Sequence, residues 1–348
     1  MLDSLQAQKD TKIYSLTSKK TIVTPDSHKI FLMPFKNSIS RILDENRQLI
    51  FVGGKGGTGK TTVSLALGLY LSERYRTLVI STDPAHSLND GLSFEELKRQ
   101  HEQDALNNLQ ICELNANEEF EKFRAQHYEE LMHLFDTTTY FDKNDIDQFF
   151  SLTIPGLDEL MSFKAIADLT EKSDWERIVV DTAPTGHALR LLQTPEIVND
   201  WVKVMAKLRW KYRYIKKAFK GKYQPDDADD LLLSLKKMIN RVKTLITNSS
   251  SCEFIVVCKP QGMVIAETID LLDKLKKAHL QVNQIVINDV ISGKYKGEYC
   301  QKRRKQQLEN IDFLKEQTQN VHYNLVNSFP EEIKGLETIR SFEKSLFS

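Results

Sequence analysis

The chain's four cysteines in 348 residues, Cys112, Cys252, Cys258 and Cys300, stand too far apart to make a C-x-x-C pair. Neither a disulfide framework nor a cysteine-only metal site within one chain is therefore expected. Net charge is also lacking. With 48 Lys+Arg against 48 Asp+Glu, no overall field draws the chain onto nucleic acid or a membrane, and any such surface has to be local. No apolar run reaches the roughly 18 residues that a membrane-crossing helix needs. The opening Met1-Leu2-Asp3-Ser4-Leu5-Gln6 has no basic stretch followed by an apolar one, as a secretory leader would. These absences point to a cytoplasmic protein with no integral membrane segment, long enough for one large α/β domain carrying a helical insertion.

Short β-branched runs alternate with long helical stretches, the pattern of a mostly parallel, doubly wound sheet with helices on both faces. Strands are expected at 49–53, 77–82, 109–114, 177–182, 254–259, 284–288 and 321–326. Asp83, Asp181, Lys259 and Asn288 fall at or just beyond strand C-terminal ends, the edge along which open α/β sheets bind ligands. Two mainly helical stretches, about 115–172 and 196–250, interrupt the alternation within a domain spanning 47–348. Residues 1–46 stand apart as an N-terminal extension, in which 21–30 reads either as an extra hairpin or as a flexible arm.

The apolar run Leu49-Ile50-Phe51-Val52 leads into Gly53-Gly54-Lys55-Gly56-Gly57-Thr58-Gly59-Lys60-Thr61-Thr62, after which Val63, Leu67, Tyr70 and Leu71 recur at helical spacing. This is a phosphate-binding loop in its strand–loop–helix setting. Its glycines let consecutive N–H groups turn toward one anion, and the helix N-terminus adds its positive end. Lys60 can reach the outer phosphates and the Thr61 hydroxyl can ligate magnesium. The expected ligand is a polyphosphate nucleotide with Mg2+. A second lysine, Lys55, makes the loop a deviant one.

Two further motifs supply chemistry. In Thr82-Asp83-Pro84-Ala85-His86-Ser87 an aspartate follows the second strand. Alone it reads as a helix N-cap or turn residue; beside Lys55, Lys60 and Asp181 it reads as the group that orients or deprotonates an attacking water. In Val179-Val180-Asp181-Thr182-Ala183-Pro184-Thr185-Gly186-His187, Asp181 can hold magnesium directly or through a water, and Pro184 and Gly186 suit a loop that changes shape with nucleotide state. His187 reads as a structural loop histidine.

The runs GGKGGTGKTT, DPAHSLND, IPGLDEL and DTAPTGHALRLL resemble the arsenite-pump ATPase family, whose eukaryotic branch delivers tail-anchored membrane proteins. The resemblance runs from about Gln48 to Ser341 and takes in Cys258-Lys259-Pro260-Gln261, Ile287-Asn288-Asp289 and Phe329-Pro330-Glu331-Glu332. It implies an ATP-hydrolysing homodimer in which Lys55 crosses to the partner's phosphates, Asp83 activates water, Asn288 reads adenine and Pro330 borders the nucleotide. Gln261 stands where the family commonly has a glutamate touching nucleotide across the interface. Gly297 replaces the first cysteine of a C-x-x-C that ends here at Cys300. Two thiolates from a dimer cannot complete a tetrahedral shell, so the family's intersubunit zinc is expected to be absent.

Trp201, Val204, Leu208, Tyr212, Ile215 and Phe219 recur at helical spacing while Lys203, Lys207, Lys211, Arg213, Lys216, Lys217 and Lys220 crowd the other faces. Such a basic amphipathic helix is either packed with a solvated charged side, or part of an apolar groove for a client helix with Phe120, Phe123, Leu131, Leu134, Leu157, Leu160 and Met161, or a contact for anionic lipid. Nucleic acid is not an expected partner, because the aromatic residues share the apolar stripe instead of interleaving with the lysines. The reading is a homodimeric, Mg2+-dependent ATPase that handles hydrophobic membrane-protein segments. An energising subunit of an arsenite or anion efflux pump and a nucleotide-switched scaffold are the alternatives.

Overall fold

Leu49, Phe51, Leu78, Ile80, Ile178 and Val180 belong to one apolar core, and the residues between them, Ile50, Val52, Val79 and Val179, belong to a second. Successive strand side chains point to opposite faces, so these strands are covered on both sides. The computed structural model describes residues 39, 47–82, 108–130, 157–182, 200, 202, 203, 206, 207 and 227–348. The chain divides after Lys36, and the fold is that of the unit Asn37–Ser348.

Seven strands are described: β1 (Leu49–Gly54), β2 (Thr77–Ser81), β3 (Leu109–Glu113), β4 (Arg177–Asp181), β5 (Cys252–Cys258), β6 (Val282–Val290) and β7 (His322–Asn327). They form one sheet in the order β3-β2-β4-β1-β5-β6-β7. Every pairing is parallel. The sheet is thus a doubly wound α/β sheet, as the alternation of runs implies. β5 and β6 each begin two residues earlier than their apolar runs suggest, because polar residues extend the ladder there. Glu253 is the clearest case: it is buried, accepts hydrogen bonds from Asn283 and faces Arg47.

Helix α1 (Lys60–Ser72) covers one face of the sheet together with α7 (Leu336–Phe347), through Val63, Leu67, Phe342 and Leu346. The other face is covered by α2 (Ala116–Gln126), α3 (Leu157–Lys172), α4 (Asp227–Thr247), α5 (Gly262–Lys277) and α6 (Glu298–Gln317). Phe51 is the pin of that face, stacked on Phe254 at 5.5 Å between ring centroids and edge-on to Phe163 at 6.0 Å. Between α3 and α4, Arg241 donates to Asp168 at 2.6 Å and to Glu171 at 2.7 Å, and Lys164 donates to Asp168 at 3.0 Å.

Because β4 lies between β1 and β2, the C-terminal ends of three strands meet at the loop that follows β1. Val52 is in register with Asp181, and Ser81 is in register with Asp181 from the other side.

Candidate functional site at the phosphate loop

Gly54 ends β1 with φ +150°, and a Cβ there would sit 2.1 Å from the Val257 carbonyl oxygen. Only glycine lets the loop leave the sheet this close to β5. At Thr58, the hydroxyl donates to the Lys55 carbonyl at 2.8 Å, and Lys60 Nζ folds onto the same oxygen at 3.4 Å. Gly59 caps α1 in the left-handed region, with no side-chain cap and no acid in the helix's first turn. The positive end of α1 therefore faces the loop with no acid of the helix's own first turn to offset it, which favours anion binding. Gly56 and Gly57 are exposed at the loop's crown, whereas Thr58 and Lys60 are buried, and Thr61 and Thr62 begin α1 half-buried.

The two lysines of the loop diverge. Lys60 lies along its own loop, but Lys55 Nζ reaches Glu267 Oε1 on α5 at 2.6 Å. Glu267 gives no signal in the sequence, since an acid on an amphipathic helix reads as a solvated face.

Asp181 is 1% exposed at the end of β4. Thr61 Oγ1 donates to its Oδ2 at 2.7 Å, and Ser64 Oγ approaches Oδ1 at 3.3 Å. No motif marks Ser64, although it follows Thr61 at helical spacing and so shares its face. A hydroxyl and a carboxylate oxygen placed together beside a phosphate loop are the hard donors Mg2+ takes when phosphate oxygens and waters fill its other positions. The residues present fit that ion, which would neutralise phosphate charge when bound.

Thr82 is tied to the same place, its N–H donating to the Asp181 carbonyl at 3.0 Å and its hydroxyl at 3.2 Å. The next residue, Asp83, lies outside the described residues, as do His187 and residues 208–220 of the expected basic helix.

Asn288 comes to the loop from β6, its Nδ2 donating to the Thr58 carbonyl at 2.9 Å. Gln261 is exposed at the N-cap of α5 without a side-chain cap bond, and Pro330 is exposed beyond β7. Neither contacts the loop through a described hydrogen bond. Phe120, Phe123, Leu160 and Met161 are buried in the core. The side chains of Leu131, Leu134, Leu157 and Trp201 lie outside the described residues.

Burial pushes the thiols of Cys252 and Cys258 up to about 12 and that of Cys112 to about 11, which keeps all three protonated near neutral pH. Cys300 lies within the first turn of α6 instead of ahead of it, with Gly297 as that helix's N-cap. Among the described residues, no group of three or more His, Cys, Asp or Glu is placed to hold a metal ion, and no helix is long and apolar enough to cross a membrane.

Residues 47–348 match the anion-transporting ATPase family. The chain is 29% identical to the ATPase ASNA1 homolog 1 of Paramecium tetraurelia over 86% of this chain and 92% of that protein. It is 28% identical to the ATPase ASNA1 homolog of Dictyostelium discoideum over 90% and 93% respectively. To the ATPase get3 of Neurospora crassa it is 30% identical, over 89% of this chain and 93% of that one. A phosphate loop on a parallel sheet with an acid on the neighbouring strand, and likeness along nearly the whole chain, place this protein in the anion-transporting ATPase family, as an ATPase.

Proposed function

We propose that the protein is a cytoplasmic, Mg2+-dependent ATPase that works as a homodimer. ATP closes two copies around a hydrophobic membrane-protein segment of the tail-anchored type, and hydrolysis reopens them. The observation that carries this reading is the divergence of the two loop lysines. Lys60 stays with its own loop, whereas Lys55 is drawn off its own loop to Glu267 on α5, which supports a role toward a second copy's nucleotide. Support for self-association comes from the same sheet edge, where Met263 and Tyr299, in the first turns of α5 and α6, are 74% and 73% exposed.

In this reading the loop from Gly54 to Thr62 binds the phosphates of ATP, Thr61 and Asp181 hold Mg2+, and Asp83 takes the proton of the attacking water. Asn288 and Pro330 border the base. Gln261 at the start of α5 supplies an amide where a carboxylate would carry charge.

The client reading is tested by trapping the Asp83→Asn protein with MgATP and identifying co-purified polypeptides by mass spectrometry. Short proteins with a single transmembrane segment, released by wild-type turnover, are the expected result. An ATPase stimulated by arsenite, with no such polypeptides bound, would contradict it and favour an anion pump subunit.

A further inference from the structure

The side-chain amide of Asn288 is used at both ends. Nδ2 donates to the Thr58 carbonyl at 2.9 Å, and Oδ1 accepts the Asp289 N–H at 2.9 Å. The contact is close enough that a Cβ on Gly59 would lie 2.5 Å from Asn288 Nδ2. Glycine at that position is thus favoured by its φ of +97°, and any larger residue would also push on the Asn288 amide.

Asn288 is held in turn. Asp289 has φ +64°, an uncommon conformation for a residue with a side chain. Three elements clamp it there. Gln307 on α6 donates to the Asp289 carbonyl at 3.0 Å while accepting the Ile291 N–H at 2.8 Å. Ser328, just past β7, donates to Asp289 Oδ1 at 2.6 Å, and Lys259, just past β5, sits 3.4 Å from Oδ2. The β6–β7 ladder shifts register between Ile287 and Val290, so β6 is irregular at this point. Strain kept by surrounding contacts marks a place where geometry is over-determined.

We propose that Asn288 is a positioning residue for the phosphate loop, fixing the Thr58–Gly59 segment from β6, with the clamped Asp289 backbone as its support. The inference rests on the reading that this loop binds a nucleotide. An amide has two N–H hydrogens and an oxygen with two lone pairs, and the Thr58 carbonyl and the Asp289 N–H use one of each. The remaining donor and acceptor match the N7 and amino edge of adenine. A single amide then couples the base to the loop that holds the phosphates, so its loss weakens phosphate binding even when no base is present.

The test is calorimetric titration of the whole protein with MgATP and with inorganic tripolyphosphate, alongside hydrogen exchange of the 55–61 peptide. Asn288→Ala is expected to weaken tripolyphosphate about fivefold or more, the scale of one hydrogen bond, and to speed exchange of that peptide. Lys60→Ala is the reference that weakens both ligands. If Asn288→Ala weakens ATP yet leaves tripolyphosphate within twofold and exchange unchanged, Asn288 only contacts the base and the proposal is overturned. Should that variant fail to fold, Asp289→Gly, which keeps the positive φ but removes the clamped carboxylate, carries the same two measurements. Weaker tripolyphosphate with faster exchange supports the proposal, and unchanged values overturn it. Wild-type protein that binds neither ligand would overturn the nucleotide reading, and this inference with it.

Discussion

Lys55 and Glu267 lie 212 residues apart in sequence and 2.6 Å apart in the fold. Both side chains are about a third or more exposed, 31% and 42%. An ion pair so open to water contributes about 0–1 kcal/mol to stability, so its effect is on where Lys55 points. Glu267→Gln is accordingly expected to move the melting temperature by no more than about 2–4 °C, the shift of about 1 kcal/mol in a large domain. A larger drop in a thermal melt would show that the pair is structural.

Hydrolysis is expected to depend on Asp83 more than binding does. Asp83→Asn should keep ATP affinity and slow turnover by at least about a hundredfold, the scale of a positioned general base. Steady-state turnover within a few fold of wild type would remove Asp83 from that role.

Magnesium dependence is expected to follow Thr61 and Asp181, whose oxygens lie 2.7 Å apart. Thr61→Ala and Asp181→Asn each remove one hard oxygen ligand, so the Mg2+ concentration for half-maximal activity should rise in both. Superimposable magnesium titrations for wild type and both variants would reject the assignment.

Stability is expected to fall in acid through Asp168. Partial burial pushes its carboxyl up, but the bonds from Arg241, Lys164 and Lys172 outweigh this and hold it at about 2, against an ordinary 3.8. A carboxylate with a lowered folded-state pKa favours the fold when ionised. Its contribution is present above about pH 4 and is lost as the pH falls toward 2. Urea unfolding at pH 7 and pH 3 should differ less in Arg241→Ala than in wild type, and the variant should lose about 1–2 kcal/mol at pH 7. An equal pH dependence in the two proteins would show that this cluster does not set the acid limit.

The strands and the phosphate loop are legible in the sequence because parallel strands buried on both faces leave unbroken apolar runs, as in Leu49-Ile50-Phe51-Val52 and Ile178-Val179-Val180. The pairing of Asp181 with the loop follows from the acid's place at a strand end. Ser64 is within reach of the same reasoning, through its spacing from Thr61. Glu267 and the Asp289 clamp are not. Glu267 shares α5 with Asp270 and Asp273, and nothing local distinguishes the acid that meets a lysine of another element. Asp289 depends on Lys259, Gln307 and Ser328, which only the order β5-β6-β7 and the packing of α6 bring together. Polar residues inside strands, such as Glu253 and Asn283, also hide strand starts.

The proposed function depends above all on two copies sharing their ATP sites through Lys55. Mixing Lys55→Ala protein with Asp83→Asn protein, each inactive alone, and following phosphate release once mixed dimers are verified by mass puts that sharing to a direct test. One site of each mixed dimer would then hold an intact Asp83 and an intact Lys55 from the other copy, so partial activity is expected to return. No recovery in verified mixed dimers would contradict shared sites and place Lys55 in the chemistry of its own subunit.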